Sequence, residues 1–100
     1  DVECGKLEII GKSAFGGCNL RSVNFPSAKI VEADSFWWCK ALTTISFGKE
    51  LESIRDRAFL DCTSLERITI TLKDDMISRD NIFTGCKNLK HVDLVEGAIL

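Results

Sequence analysis

Apolar positions along the chain recur in a frame that appears four times. In its most complete form the frame is F-x-x-C-x-x-L-x-x-I-x-F, which covers residues 36–47. The Phe-x-x-Cys pairs that begin the four copies are Phe15/Cys18, Phe36/Cys39, Phe59/Cys62 and Phe83/Cys86. Successive pairs are separated by 21, 23 and 24 residues. A period in this range indicates a repeat architecture in which each copy forms one small structural unit.

The second half of each copy predicts a short β-strand, at residues 20–25, 42–47, 65–70 and 89–94. Side chains two residues apart share a face of a strand, so Ile45 and Phe47 point one way and Thr44 and Ser46 the other. A shorter apolar segment precedes each Phe, at residues 7–10, 28–31, 51–54 and 76–77. The residues between that segment and the Phe predict a single helical or 3₁₀ turn.

A single repeat is too small to bury its own Phe, Leu, Ile and Cys, so neighbouring repeats must cover one another. We therefore predict a solenoid in which short parallel β-strands stack in a right-handed superhelix of about four repeats, with all six Phe in the core. The array forms one domain over residues 1–100, with approximate repeats 7–27, 28–50, 51–73 and 74–97.

The longer motif I-x-x-x-A-F-x-x-C-x-x-L-x-x-I-x-F, whose closest copy is residues 54–70, resembles the BspA-type leucine-rich repeat. The resemblance covers residues 7–94. It implies a curved or nearly straight solenoid, and it allows a cell-surface location because members are often surface or adhesion-type binding proteins. The first repeat is one residue short, and Ile82 replaces the usual Ala before Phe83. No capping unit is recognisable, so we expect a fragment of a longer protein.

Composition narrows the classes of partner. The chain has 45% hydrophobic residues, with 13 basic and 15 acidic residues interleaved along it. Without a basic run we expect no nucleic acid partner. Without an apolar run of about 20 residues we expect no membrane insertion. The predicted partner is another protein, and strand edges left unpaired at uncapped solenoid ends also predict self-association.

Four of the five cysteines occupy the same repeat position, and three states are open to them. Stacking brings neighbours close to disulfide-bridging distance, but a Cys beside a core Phe is more simply a small buried hydrophobic residue. Metal binding is disfavoured because the chain has no C-x-x-C or C-x-x-H spacing. We expect a ladder of free thiols with Cys4 outside it as the most exposed. Free thiols favour the cytoplasm, whereas the family resemblance allows the cell surface, so the location stays open.

The sequence predicts no enzyme, no cofactor and no metal site. His91 is the single histidine, and a nucleophile would need such a base beside it. Asp93 lies two residues further on, on the same strand face, but no Gly-rich phosphate loop or strained nucleophile turn accompanies the pair. The simpler interpretation of His91 is an exposed strand residue.

The outward strand positions form the first candidate binding surface, because solenoids commonly bind on such a face. They are Ser22, Asn24, Thr44, Ser46, Arg67, Thr69, His91 and Asp93. Only Arg67 is of a type enriched in binding hot spots. The alternative is a merely solvated face, rich in Ser and Thr because of their compatibility with strands.

Trp37 and Trp38 form the second candidate surface. Their counterparts in the other repeats are Gly16–Gly17, Leu60–Asp61 and Thr84–Gly85. Positions that accept such different residues are not fixed core sites, so at least one Trp should be exposed. Exposed Trp favours a contact with another protein, and local packing on Leu60 is the alternative.

The favoured function is a non-catalytic protein–protein interaction or adhesion module built from these repeats. The alternative is a structural spacer or scaffold segment of a longer array, with no ligand of its own. A hydrolase-like site around His91 is a distant third hypothesis.

Overall fold

A computed structural model of the chain describes residues 2–71 and 81–95, with side chains from residue 4 onward. Eight short strands lie in these ranges: β1 (Val2–Glu3), β2 (Ile9–Ile10), β3 (Ser22–Phe25), β4 (Ile30–Val31), β5 (Thr44–Phe47), β6 (Ser53–Ile54), β7 (Arg67–Ile70) and β8 (His91–Leu94). The predicted apolar segment at Met76 and Ile77, and with it the boundary between the last two repeats, lies outside the described residues.

The strands form two parallel sheets on different sides of the coils. One sheet has the order β1-β3-β5-β7-β8 and the other has the order β2-β4-β6. Register follows the sequence repeat, since Val23 pairs with Ile45 and Ile45 with Ile68 in the first sheet. The irregular spacings of the repeats therefore fall outside the strands, and the predicted solenoid of parallel strands is confirmed.

A third side of each coil consists of successive turns. In the second coil, backbone N–H groups of Ser35, Trp37 and Cys39 donate to the carbonyl groups three residues earlier. Two residues of this segment, Asp34 and Trp38, have φ of 59° and 62°. Positive φ interrupts a right-handed helix, so the predicted helical or 3₁₀ turn is instead a series of separate turns, and the described residues contain no helix.

The centre of the solenoid is a column of four parallel rings, one from each coil. Centroids of Phe15, Phe36, Phe59 and Phe83 are 5.3, 5.2 and 5.6 Å apart in succession, with interplanar angles of 5°, 3° and 4°. The inner rings of the column are fully buried, whereas Phe15 and Phe83 at its ends are partly buried.

Two further phenylalanines pack against the side of this column. Phe25 and Phe47 come from adjacent strands and stack with centroids 5.9 Å apart. Phe25 meets Phe36 at 60°, and Phe47 meets Phe59 at 71°, so edges face rings as aromatic quadrupoles prefer. The prediction that all six Phe belong to the core is confirmed.

The leucines of the frame lie in corners rather than in strands. Leu42 and Leu65 are fully buried, as predicted, but each precedes its strand by two residues. The reason is a turn in which the N–H of each Leu donates to the carbonyl of the Cys three residues earlier. The strand begins only after this corner.

Ser35 connects the first two coils through a buried hydroxyl. It occupies the position of Ala14 and Ala58 in the neighbouring repeats. Its Oγ donates toward the carbonyl of Glu32 in its own coil and lies within hydrogen-bond distance of the Ile10 carbonyl in the coil before it. A buried hydroxyl without such acceptors would be destabilising, so this polar departure from the apolar frame is satisfied.

Apolar side chains are exposed on the outermost strands that the structure describes. These are Ile9 of β2, and Val92 and Leu94 of β8. In the inner coils the equivalent inward positions are buried, so self-association through the solenoid ends stays a prediction. Within the described ranges, no helix has the length and apolar character needed to cross a membrane.

Substitution of Phe36 by Ala should be among the most destabilising changes, because it removes a ring stacked on both sides. We expect a loss of about 3–5 kcal/mol in the free energy of unfolding, measured by urea denaturation. Phe83→Ala is the matched control, and its cost should be smaller because that ring is partly exposed. Equal costs for the two variants would contradict the ring column as the centre of the core.

Gly48→Ala should also destabilise the fold, through a backbone collision between coils. A Cβ at Gly48 would lie 2.1 Å from the Pro26 carbonyl oxygen, whereas a Cβ at Gly11 would meet nothing within 4 Å. We expect a cost of about 1–3 kcal/mol for Gly48→Ala and no loss for Gly11→Ala, again by urea denaturation. Indistinguishable stabilities would show that the coils are not packed this closely at Gly48.

Candidate interaction surfaces

The structure brings all eight predicted outward strand residues together on one face of the larger sheet. They form two parallel rows, called here the polar rows. The first contains Ser22, Thr44, Arg67 and His91, and the second contains Asn24, Ser46, Thr69 and Asp93. Each row crosses four strands, so the sequence prediction located this face correctly, although no finding tests whether it binds anything.

Several side chains in the polar rows bind one another. Ser46 Oγ lies 2.8 Å from Asn24 Oδ1 on the neighbouring strand. Arg67 Nη1 lies 2.5 Å from Asp93 Oδ2, and both side chains are nearly half exposed. An exposed ion pair contributes little to stability. It nevertheless occupies Arg67, the one residue of this face predicted to anchor a partner.

The same ion pair bears on the hydrolase hypothesis. Asp93 directs a carboxylate oxygen to Arg67 on the adjacent strand, which is not the arrangement of an acid that orients His91 as a base. Within the described part of the chain, no cluster of three or more His, Cys, Asp or Glu side chains could hold a metal ion.

Trp37 and Trp38 form an exposed aromatic pair on the turn side of the second coil. Their side chains are 43% and 46% exposed, and the two ring centroids are 5.7 Å apart at 24°. Lys40 places its Nζ 4.1 Å from the Trp38 ring centroid, a cation–π distance. The indole of Trp37 extends over Gly16 of the first coil, which has no side chain to block it. These three side chains are called here the tryptophan surface.

Both tryptophans are exposed, as the sequence predicted for at least one of them. Local packing also has a part, because each ring contacts the other. The packing is nevertheless between surface residues and adds nothing to the buried core, whose members do not include either Trp. An exposed pair of this kind is typical of contact surfaces.

The backbone at Trp38 is in the left-handed region. Its φ of 62° matches those of its counterparts Gly17, Asp61 and Gly85, at 69°, 57° and 81°. Each of these is the third residue of a turn closed by the N–H of the following Cys. Such a position favours Gly or Asn, and other residues lose about 1–2 kcal/mol there. Gly and Asp immediately before Cys are the sequence signal for this position, which the pattern of apolar residues does not contain.

The four repeat cysteines form a continuous row of thiols. Cys39, Cys62 and Cys86 place Sγ at 2.8, 3.0 and 3.0 Å from the carbonyl oxygens of Phe15, Phe36 and Phe59, each in the preceding coil. The row therefore links neighbouring coils. All five cysteines are free; Cys39 and Cys62 are buried, whereas Cys4, Cys18 and Cys86 are partly exposed. Cys4, expected to be the most exposed, packs against the core like the end cysteines.

The first thiol of the row has no carbonyl of an earlier repeat to bind and contacts sulfur instead. Cys18 Sγ lies 3.1 Å from Cys39 Sγ. Burial, followed by this hydrogen bond, raises the pKa of the Cys18 thiol to about 11.

Two influences oppose one another at Cys39. Hydrogen bonding with Cys62 and then with Cys18 lowers the pKa of Cys39 to about 6, in spite of its burial. However, the 2.8 Å distance from its Sγ to the Phe15 carbonyl requires a proton on sulfur. We assign the protonated thiol, because a buried thiolate would be repelled by that carbonyl oxygen and would lack water.

Charged side chains pair from coil to coil along the smaller sheet. Arg57 makes a two-pronged contact with Asp34, with nitrogen–oxygen distances of 3.0 and 3.2 Å. Lys29 lies 3.5 Å from Glu8 in the same direction along the solenoid. Since opposite charges alternate here, this side presents no continuous patch of one sign.

Comparison with known proteins agrees with this geometry. The family model for the BspA type leucine rich repeat region matches residues 5–99 in six copies. Curated proteins give no match. Among solved structures, a leucine rich cell surface protein from Faecalibacterium prausnitzii A2-165 is similar, with a TM-score of 0.73 and 24% sequence identity.

The match covers 92% of this chain and 27% of that protein, so the hundred residues span about a quarter of its length. At this identity the likeness shows the fold alone. The family model extends over nearly the whole chain, and the repeated turns, strands and cysteine row account for it. The chain belongs to the BspA-type leucine-rich repeat family.

Proposed function

We propose that this chain is a non-catalytic protein-binding or adhesion module, and that the tryptophan surface is its principal contact site. The single observation that carries the proposal is the exposed, stacked pair of indoles at positions where the other repeats have Gly, Leu, Asp or Thr. Trp is among the residues most enriched in binding hot spots.

The chemistry of the surface defines the partner's. Two indoles provide a broad apolar area, and Lys40 provides a positive charge directly beside Trp38. A complementary partner is a protein surface that presents apolar side chains next to carboxylates, because the carboxylates can pair with Lys40 as the indoles lose water. The similar cell surface protein supports an extracellular setting for such a contact.

The polar rows are the less favourable site. Arg67 is already paired with Asp93, and Ser46 with Asn24. A partner would have to replace these contacts, and no aromatic side chain of the rows would repay the loss. This mutual pairing instead favours the alternative function of a structural spacer, for which a sheet satisfied by its own side chains is sufficient.

Binding to the tryptophan surface can be tested with random linear peptides displayed on phage and selected on the immobilised chain. We expect selected peptides to combine aromatic or aliphatic residues with Asp or Glu. Trp37→Gly and Trp38→Gly should each weaken their binding at least tenfold, about 1.4 kcal/mol, as measured by biolayer interferometry.

Arg67→Ser is the matched control, since it changes the polar rows without touching the indoles. It should leave peptide binding unchanged. Peptides sensitive to Arg67→Ser alone would place the contact on the polar rows and refute the tryptophan surface. A selection that enriches no peptide dependent on either surface would favour the structural spacer.

Trp38→Gly should have little effect on stability, which separates a contact role from a structural one. Relief of the left-handed strain, about 1–2 kcal/mol, is offset by the lost ring stacking, about 0.5–1.5 kcal/mol, and cation–π contact, about 0.5–1 kcal/mol. We expect the free energy of unfolding to change by less than about 1 kcal/mol. Trp37→Gly should cost more, because φ at Trp37 is not positive and no strain is relieved. A large loss for Trp38→Gly would show that this indole supports the fold.

A further inference from the structure

We propose that Cys18 and Cys39 form an oxidation site, at which a small-molecule disulfide of the glutathione disulfide class converts the two thiols into a disulfide between the first and second coils. The sulfur atoms are 3.1 Å apart, in residues 21 positions apart in sequence. A disulfide bond is about 2.05 Å long, so the sulfurs need to approach by only about 1 Å.

The backbone around the two cysteines is already held at bridging distance. The N–H of Gly17, directly before Cys18, lies 2.7 Å from the carbonyl oxygen of Trp37 in the next coil. Hydrogen-bonded parallel chains are about 4.8 Å apart, within the Cα separation of about 4.4–6.8 Å that disulfides span. The coils need no rearrangement before the bond forms.

Oxidation would also leave no buried carbonyl without a donor. Cys39 Sγ gives up its hydrogen bond to the Phe15 carbonyl when it bonds to Cys18. That carbonyl still accepts a hydrogen bond from the backbone N–H of Cys18, at 3.1 Å. The loss is therefore one thiol donor, which bonding to sulfur removes in any case.

Exposure distinguishes this pair from the middle of the row. Cys18 is partly exposed, whereas Cys39 and Cys62 are both fully buried. A small-molecule disulfide can reach Cys18 but not the bond-forming line between Cys39 and Cys62. Cys18 is thus the entry point, and Cys39 is the buried thiol that completes the bond.

The reaction is two successive exchanges. Cys18 loses its proton to solvent, and its thiolate attacks one sulfur of R–S–S–R. A mixed disulfide forms and one RS⁻ leaves, taking a proton from water. Cys39 then loses its proton and attacks Cys18 Sγ, releasing the second RS⁻, which is also protonated. Two protein thiols are oxidised, and one small disulfide is reduced to two molecules of R–SH.

The first exchange should depend steeply on pH. Burial and the contact with Cys39 raise the pKa of the Cys18 thiol to about 11, so its reactive thiolate is scarce at neutral pH. Between pH 7 and 9 the rate should increase about tenfold per pH unit, in proportion to the thiolate.

The test is incubation of the full chain with glutathione disulfide, followed by alkylation, tryptic digestion without reductant and mass spectrometry. Cleavage after Lys and Arg separates Cys18 on the peptide 13–21 from Cys39 on the peptide 30–40, with Cys62 and Cys86 on others. We expect peptides 13–21 and 30–40 joined with the loss of two hydrogens. Thiol titration of the unfolded product should count three of the five cysteines, since two are in the bond.

Cys86→Ser is the matched control, because it alters the other partly exposed end of the row and should leave the cross-link intact. Cys18→Ser and Cys39→Ser should abolish it. The oxidised chain should unfold at a higher urea concentration than the reduced chain, and dithiothreitol should reverse the shift. A bridge between Cys62 and Cys86, a glutathione adduct that persists on Cys18, or five free thiols after incubation would each overturn the proposal.

Discussion

The column of four parallel phenylalanine rings is the interaction on which the rest of the structure depends. Each ring has the same orientation as the next, within 5°, at centroid distances of 5.2–5.6 Å. Rings can repeat in this way only if every coil presents its Phe at the same height and angle. The column therefore imposes one register on both sheets, and variations in repeat length must be absorbed outside the strands. Residues 21–24 apart in sequence become neighbours for this reason.

The periodic part of the fold could be predicted because burial determines it. Alternation identified the inward faces of β3, β5 and β7, and the repeat period identified which residues pair across strands. The turns could not be predicted in the same way, because φ is a property of the backbone. Ser13, Asp34 and Arg57 all have positive φ at one repeat position, and residue types so different give no common signal. The expected helical turn failed at these positions.

The candidate surfaces were predictable in position but not in chemistry. Alternation placed Arg67 and Asp93 on the same sheet face, and the polar rows formed as predicted. Their ion pair crosses from one row to the other between adjacent strands, a diagonal relation that emerges only with the register and the rotamers. The sequence instead directed attention to His91 beside Asp93, on one strand. Proximity along the chain was the weaker guide, because the closest polar partner of a solenoid residue often lies in the next coil.

Trp38 is informative because its local and long-range requirements disagree. Residues held in an unfavourable region of φ persist where some other interaction offsets the cost. The coil itself does not require an indole there, since Gly17 and Asp61 make the equivalent inter-coil backbone hydrogen bonds without one. The core does not require it either, because the ring lies outside the phenylalanine column. What remains within the chain is contact with Trp37 and Lys40, both on the surface. The interaction that gives this residue its value is therefore most simply placed outside the solenoid, in a partner that covers the two indoles.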